Sequence, residues 1–313
     1  MLGKTANGIF WMARYLERAE NTARLIETGQ RIALTRLQDN DDEWASILQS
    51  SGTLASFQEQ HDELNKDAAL DWMLRSTDNP SSIKSCIEAA RQNARLVRTA
   101  LTGEVWEAIN AAYMRSNELL SRKVSERDLP NVLNLMRRAA AMVRGMVHGS
   151  MMRNDIYDFL RAGTVLERAD NTARILDVKY YVLLPSINAV GSSIDNVQWE
   201  SILRSVSARG GFRMVYGAAT GPKEIAQFLI LDRQLPRSLA HCVWFLRNCL
   251  ESLAQDREEA PQSLALANAL LDEKLSCEIE SIFEQGLHEF IQSILQGLAD
   301  LTNQLQKDFR FID

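Results

Sequence analysis

Two charged decapeptides stand about half a chain apart and share nearly every letter: YLERAENTAR at 15–24 and VLERADNTAR at 165–174. Only Tyr15/Val165 and Glu20/Asp170 differ. On a helix, Glu17, Asn21 and Arg24 fall at i, i+4 and i+7, so they share one face with Glu20, and Thr28 extends the stripe. Glu167, Asp170, Asn171 and Arg174 hold the same places in the second copy. Arginines present a planar fork suited to a carboxylate or phosphate. Glutamates can hold an amine, or act as general base where burial raises their pKa. If the two helices face one another, four carboxylates and four arginines, counting Arg18 and Arg168, line one cleft. A plainer reading of the same residues is a buried polar network that fixes helix register, which stabilises only when every member is satisfied. Packing, ligand binding and acid–base chemistry all stay open at this point. The candidate ligand-binding residues are Glu17, Arg18, Asn21, Arg24, Glu167, Arg168, Asn171 and Arg174, with no catalytic residue assigned.

The elements that carry these residues read as helices. Ile9, Met12, Leu16, Ala19, Ala23 and Ile26 lie on one arc at 100° per residue, and the charged stripe runs beside that arc. Its members are therefore expected to be half-buried at a helix–helix contact or a pocket wall. Ala19 and Ala23, like Ala169 and Ala173, are small and four apart, which lets another helix approach closely. Further helical runs are NPSSIKSCIEAARQNARLVRTAL, with Asn79 before Pro80 as cap, and LPNVLNLMRRAAAMVRGMVHGSMM, with Asp128 upstream and Pro130 in its first turn. The last third adds LPRSLAHCVWFLRNCLESLAQ, LALANALLDEKLSCEIESIFEQG and HEFIQSILQGLADLTNQLQKDF. No segment alternates with period two between turn signals. The expected fold class is all-α. Loops are expected at 37–43 and 186–196, and the glycine-rich 208–222 reads as a third irregular stretch.

The repeat extends beyond the decapeptide. Trp44 and Trp199 open WASILQS and WESILRS, 155 residues apart, and Pro80, Cys86 and Arg91 match Pro236, Cys242 and Arg247, 156 apart. Ordered matches at a nearly constant offset imply a tandem duplication. We expect a duplicated helical bundle with pseudo-two-fold internal symmetry, units 1–150 and 151–313, packed as one body and broken near Asn154.

Composition narrows the partners. With 46% hydrophobic and 24% charged residues, 15 Gly and 6 Pro in 313, the chain supports a packed core and no sandwich or collagen-like reading. A net charge of -6 gives no general reason to expect nucleic acid or an anionic membrane. No run of 18 apolar residues, secretory leader or CxxC pair occurs, so reduced cysteines and a cytoplasmic location are expected. No Glu-x-x-His repeats, so no di-metal carboxylate site is expected, and no Walker A motif, dinucleotide loop or nucleophile elbow appears. No cofactor is expected.

His148, in MVRGMVHGSMMRND, reads first as a packed histidine on a Met-rich helix. A hairpin near Asn154 would bring it close to Glu167, which makes it a further ligand-binding candidate. Arg137 and Arg144 share a helix face at i, i+7, as a solvated or inter-helix charge face or an anion site.

GIFWMARYLERAENTARLI and FLRAGTVLERADNTARILD, together with GMVHGSMMRND before the second, resemble the alpha-E family of bacterial all-helical proteins, named for a Glu-Arg motif. The resemblance covers essentially the whole chain and makes Glu17–Arg18 and Glu167–Arg168 the motif residues. Genes of that family commonly neighbour a circularly permuted ATP-grasp protein, a transglutaminase-like peptidase and sometimes a proteasome-like protease. What this implies is an accessory or substrate-binding subunit that works with an ATP-grasp-type ligase in peptide or amide bond formation. The substrate would be a small peptide or amino acid, and an oligomer is possible. The alternatives are an enzyme using the Glu-Arg helices as acid and base, and a purely structural interaction module.

Overall fold

The computed structural model describes residues 3–33, 42–183, 193–217, 221–255 and 257–311. It is all-helical, with no strand among the described residues. After the long α1 (Gly3–Ala33) come α2 (Asp42–Ser50), α3 (Leu54–Gln58), α4 (Lys66–Leu74), α5 (Ile83–Leu96), α6 (Gly103–Leu119) and α7 (Leu129–Ser150). A second long helix, α8 (Asp155–Leu183), is followed by α9 (Ser193–Ser205), α10 (Arg209–Tyr216), α11 (Pro222–Ile230) and α12 (Leu239–Ala254). α13 (Gln262–Ala269), α14 (Ile279–Gln285) and α15 (Leu287–Asp308) complete the chain. Most of the loops expected at 37–43 and 186–196 lie outside the described residues.

α1 and α8 pack on each other at the centre. α1 is flanked by α5 and α7, with α6 over both; α8 is flanked by α12 and α15, with α13 over both. The short helices cross over: α2 reaches α8, and α9 reaches α1. The central contact is close enough that a Cβ on Gly163 would lie 2.4 Å from the Phe10 carbonyl oxygen. Ala19, Ala23, Ala169 and Ala173 are all buried, as their size at four-residue spacing predicts. At the chain's end, the buried Phe311 packs on Phe10 and Phe159, with ring centroids 5.4 and 5.9 Å apart, tying the last turn to both central helices. Each such ring stabilises the fold by about 1.5–3 kcal/mol through removal from water.

Local chemistry explains the helix starts and corrects three expectations. Ser82 caps α5 by accepting from the Ser85 amide, and Ser238 caps α12 by accepting from His241. Asn79 is not the cap; it is buried, donates to the Trp72 carbonyl and accepts from the Ser81 amide. The glycine-rich 208–222 is not one loop, because Arg209–Tyr216 forms α10. Its Phe212 is fully buried and stacks on Tyr216 and against Phe228, and that burial outweighs the poor helix propensity of Gly210 and Gly211. The run 264–286 is not one helix: it widens into a π turn at Leu270–Lys274 and stops. There the Ser276 hydroxyl takes the Leu271 carbonyl, competing with continuation. Among the described residues no helix is long and apolar enough to cross a membrane.

Candidate functional site

The two Glu-Arg motifs interlock across the α1/α8 contact. Arg168 donates from Nε to Glu17 Oε1 at 2.9 Å and from Nη2 to Glu17 Oε2 at 3.2 Å. Arg18 does the same to Glu167, at 2.6 and 3.0 Å. Each arginine thus forks onto the glutamate of the other helix, the strong bidentate geometry. Further cations close each carboxylate. Arg144 of α7 bridges Glu17 (2.9 Å) and Glu20, and Arg14 of α1 reaches Glu167 at 2.7 Å. One turn on, Arg24 pairs with Glu20 and Arg174 with Asp170, both at 2.7 Å.

The backbone around these pairs also matches. Arg24 donates to the Ser205 carbonyl at the end of α9, and Arg174 to the Ser50 carbonyl at the end of α2. Both helices end on a left-handed residue, Ser207 (φ 57) and Gly52 (φ 74). Thr22 donates to the Ser81 carbonyl and Thr172 to the Arg237 carbonyl. Ser81 and Arg237 each stand directly after the prolines Pro80 and Pro236.

Burial exceeds the half-buried expectation. Glu17 and Glu20 are 1% exposed and Glu167 3%, because α1 and α8 are surrounded by other helices rather than facing solvent. Burial pushes the Glu17 carboxyl up, but the guanidinium groups of Arg168, Arg237 and Arg144 outweigh it and hold the pKa well below the usual carboxylate range. Glu167 follows the same logic: burial raises it, while Arg18 and Arg14 bring it down to about 2. Burial lowers the Arg237 pKa to about 10, Glu17 opposing the shift and Arg168 reinforcing it. Cys86 and Cys242, seated under the two proline turns, are pushed up to about 12 by burial, so neither is an activated thiol.

One difference breaks the match. Arg237 fills the space beside Glu17 and Glu20: its Nη2 lies 2.7 Å from Glu20 Oε1 and 3.2 Å from Glu17 Oε1, and its Nη1 is 3.4 Å from Asn21 Oδ1. The matching position near Glu167 and Asp170 is Ser81, and there a cavity of about 300 Å³ opens. Arg18, Asn21, Glu167, Asn171 and Arg174 line it, with Arg14, Asp170, Thr22, Asn79 and the Ser51–Thr53 turn. The Asn171 side-chain nitrogen is buried without a partner among the described residues, whereas Asn21 Nδ2 donates to the Glu167 carbonyl.

Of the sequence candidates, Arg18, Asn21, Glu167, Asn171 and Arg174 share the cavity, while Glu17, Arg24 and Arg168 belong to the filled neighbourhood. His148 lines neither; it is exposed, and its Nδ1 lies 3.0 Å from the Tyr157 hydroxyl. Arg137 pairs with Glu27, so the Arg137/Arg144 face is an inter-helix charge face. Sequence reasoning missed Arg14 and Arg237. The signal for both is a charge mismatch between repeat positions, Arg14 against Thr164 and Arg237 against Ser81. Among the described residues no group of three or more His, Cys, Asp or Glu is placed to hold a metal.

An all-helical body closed by two crossed Glu-Arg pairs is the class of protein these features define. The Alpha-E family, described as a predicted alpha-helical domain with a conserved ER motif, matches residues 1–309, and the chain belongs to it. Uncharacterised proteins of Mycobacterium bovis and Mycobacterium tuberculosis are 24% identical over 321 aligned positions, covering 94% of this chain and 35% of theirs. The chain therefore spans about a third of the length of these relatives. No solved structure matches it significantly.

Proposed function

We propose that the protein is an accessory, substrate-binding subunit of an ATP-grasp-dependent system that forms peptide or amide bonds. Its two units, 1–150 and 151–313, are duplicated helical bundles related by a pseudo-two-fold axis between α1 and α8. The crossed Glu-Arg pairs are the fixed keystone, and the cavity beside Glu167 receives a small peptide or amino-acid substrate. The observation that carries this reading is the cavity of about 300 Å³, walled by charged side chains that are already oriented by ion-pair partners. Preorganised polar groups in a concave site are what a small polar ligand needs. Acid–base catalysis by Glu17 or Glu167 draws no support here, because arginines that hold these carboxyls well below the ordinary range leave them no proton to give near neutrality and make them weaker bases than a free carboxylate.

The test is co-purification with an ATP-grasp-type ligase, followed by product formation with and without this chain. The expected result is a stable complex whose product yield falls when a folded Ser81→Arg variant blocks the cavity. Full ligase activity without this chain, and no association, would overturn the reading.

A further inference from the structure

The two Glu-Arg neighbourhoods hold the same ionic stock except for one guanidinium. Glu17 and Glu20 are met by Arg24, Arg144, Arg168 and Arg237. Glu167 and Asp170 are met by Arg14, Arg18 and Arg174, with no fourth arginine among the described residues. Without Arg237, both places would balance two carboxylates against three arginines. The first accommodates a fourth guanidinium in that balance. The second keeps the three groups that correspond to Arg237's partners: Glu167 and Asp170 for Glu17 and Glu20, and Asn171 for Asn21. All three line the cavity, as does Ser81, which stands where the arginine would arise. Asn171 is 5% exposed and its amide nitrogen has no partner among the described residues, while Asn21 uses both ends of its amide, the oxygen accepting from Arg237. An amide can turn end for end, so Asn171 can present its oxygen to a cation as Asn21 does.

We infer that the cavity binds a guanidinium group, the head of an arginine or an arginine-like ligand, in the place that Arg237 fills on the other side. This rests on the substrate-binding reading above and names the class of substrate. The ligand is free arginine in kind or an arginine borne on a short peptide; the guanidinium head is common to both. Its planar donors reach Glu167 and Asp170 together, as Arg237 reaches Glu17 and Glu20. The rest of the cavity, bounded by Thr22 and the Ser51–Thr53 turn, takes the stem.

Calorimetric titration of the full chain with millimolar methylguanidinium tests the head group, with sodium phosphate and acetate as anionic probes. We expect one saturable methylguanidinium site per chain and none for the anions. Ser81→Arg supplies the missing side chain and should abolish the site, and Asp170→Asn should weaken it at least tenfold. Tighter binding of arginine amide identifies a free ligand; tighter binding of a Gly-Arg-Gly peptide identifies a peptide-borne one. Absence of a saturable methylguanidinium site overturns the inference, as does phosphate binding in its place. So does binding that survives in folded Ser81→Arg. If Ser81→Arg does not fold, Asp170→Asn decides by the same criterion. If methylguanidinium fails while Ser81→Arg still blocks product formation, the cavity serves another ligand and the accessory reading stands. If the ligase never needs this chain, that reading falls whatever binds.

Discussion

Around Glu17 every buried carboxylate oxygen is closed off by arginine; around Glu167 the same motif borders open space. The lesson is that the Glu-Arg pairs and the cavity are separable. Both neighbourhoods keep the crossed forks, Arg168 on Glu17 and Arg18 on Glu167, so the forks are what the α1/α8 contact requires. Only one neighbourhood keeps a vacancy, and a single position decides it: Arg237 on one side, Ser81 on the other.

The comparison can be broken most sharply at the glutamates. Glu17 faces three guanidinium groups and Glu167 two. Breaking a buried pair by removing one partner costs about 3–5 kcal/mol. In urea unfolding, Glu17→Gln should therefore fall toward the upper end of that range and Glu167→Gln toward the lower. Equal losses would show that the extra cations around Glu17 contribute nothing.

Acid should dissolve both neighbourhoods. The two carboxyls have folded pKa values below the ordinary 4.5. Their stabilisation is then fully present above about 4.5 and is lost as pH falls, through about 2 for Glu167 and lower still for Glu17. The melting temperature should decline throughout that window, and in Glu167→Gln the decline should be shallower.

The next effects come from exchanging the distinguishing residue. Arg237→Ser removes hydrogen bonds to two buried carboxylates and should cost about 2 kcal/mol, since bonds to charged groups contribute that order. Millimolar methylguanidinium should restore part of the lost melting temperature. Ser81→Arg should move the other way, by about 1 kcal/mol, as cavity-filling changes commonly do. A large loss in Ser81→Arg would mean that the second neighbourhood cannot take a fourth guanidinium.

The smallest effect is at the helix ends. Ser207 pays for its left-handed φ with a hydroxyl that accepts from Arg24 at 2.9 Å, while Gly52 adopts the same region freely. Gly52→Ser trades about 1–2 kcal/mol of strain against a charge-assisted bond to Arg174 of similar size, for a net change under about 1 kcal/mol.

Much of this arrangement was legible in the sequence, for reasons tied to particular residues. Helical periodicity over α1 and α8 and the paired spacings Trp44/Trp199 and Pro80/Pro236 are local signals that survive without coordinates. The depth of burial was not, because a charged stripe beside an apolar arc reads as partly solvated until neighbours on every side are known. Arg237 was hidden for a different reason. A repeat search looks for sameness, and position 237 matters because it departs from Ser81. Arg14 escaped likewise, since it stands against Thr164: Glu167 takes its second cation from α1, whereas Glu17 takes one from Arg144 of α7. His148 was drawn toward Glu167 by its distance in sequence, whereas the turn at 151–154 leaves it at the surface beside Tyr157.

The crossing of the forks also has a bearing on synthesis. Each motif is completed only by the other, 149–151 residues away along the chain. While α1 emerges from the ribosome, Arg168 does not yet exist, and Glu17 and Arg18 must wait in water for roughly half the chain to be translated. A central helix that was apolar all round would spend that interval as a sticky, aggregation-prone segment. The charged stripe keeps the waiting helix hydrated, and the same charges become internal fasteners once their counterparts arrive.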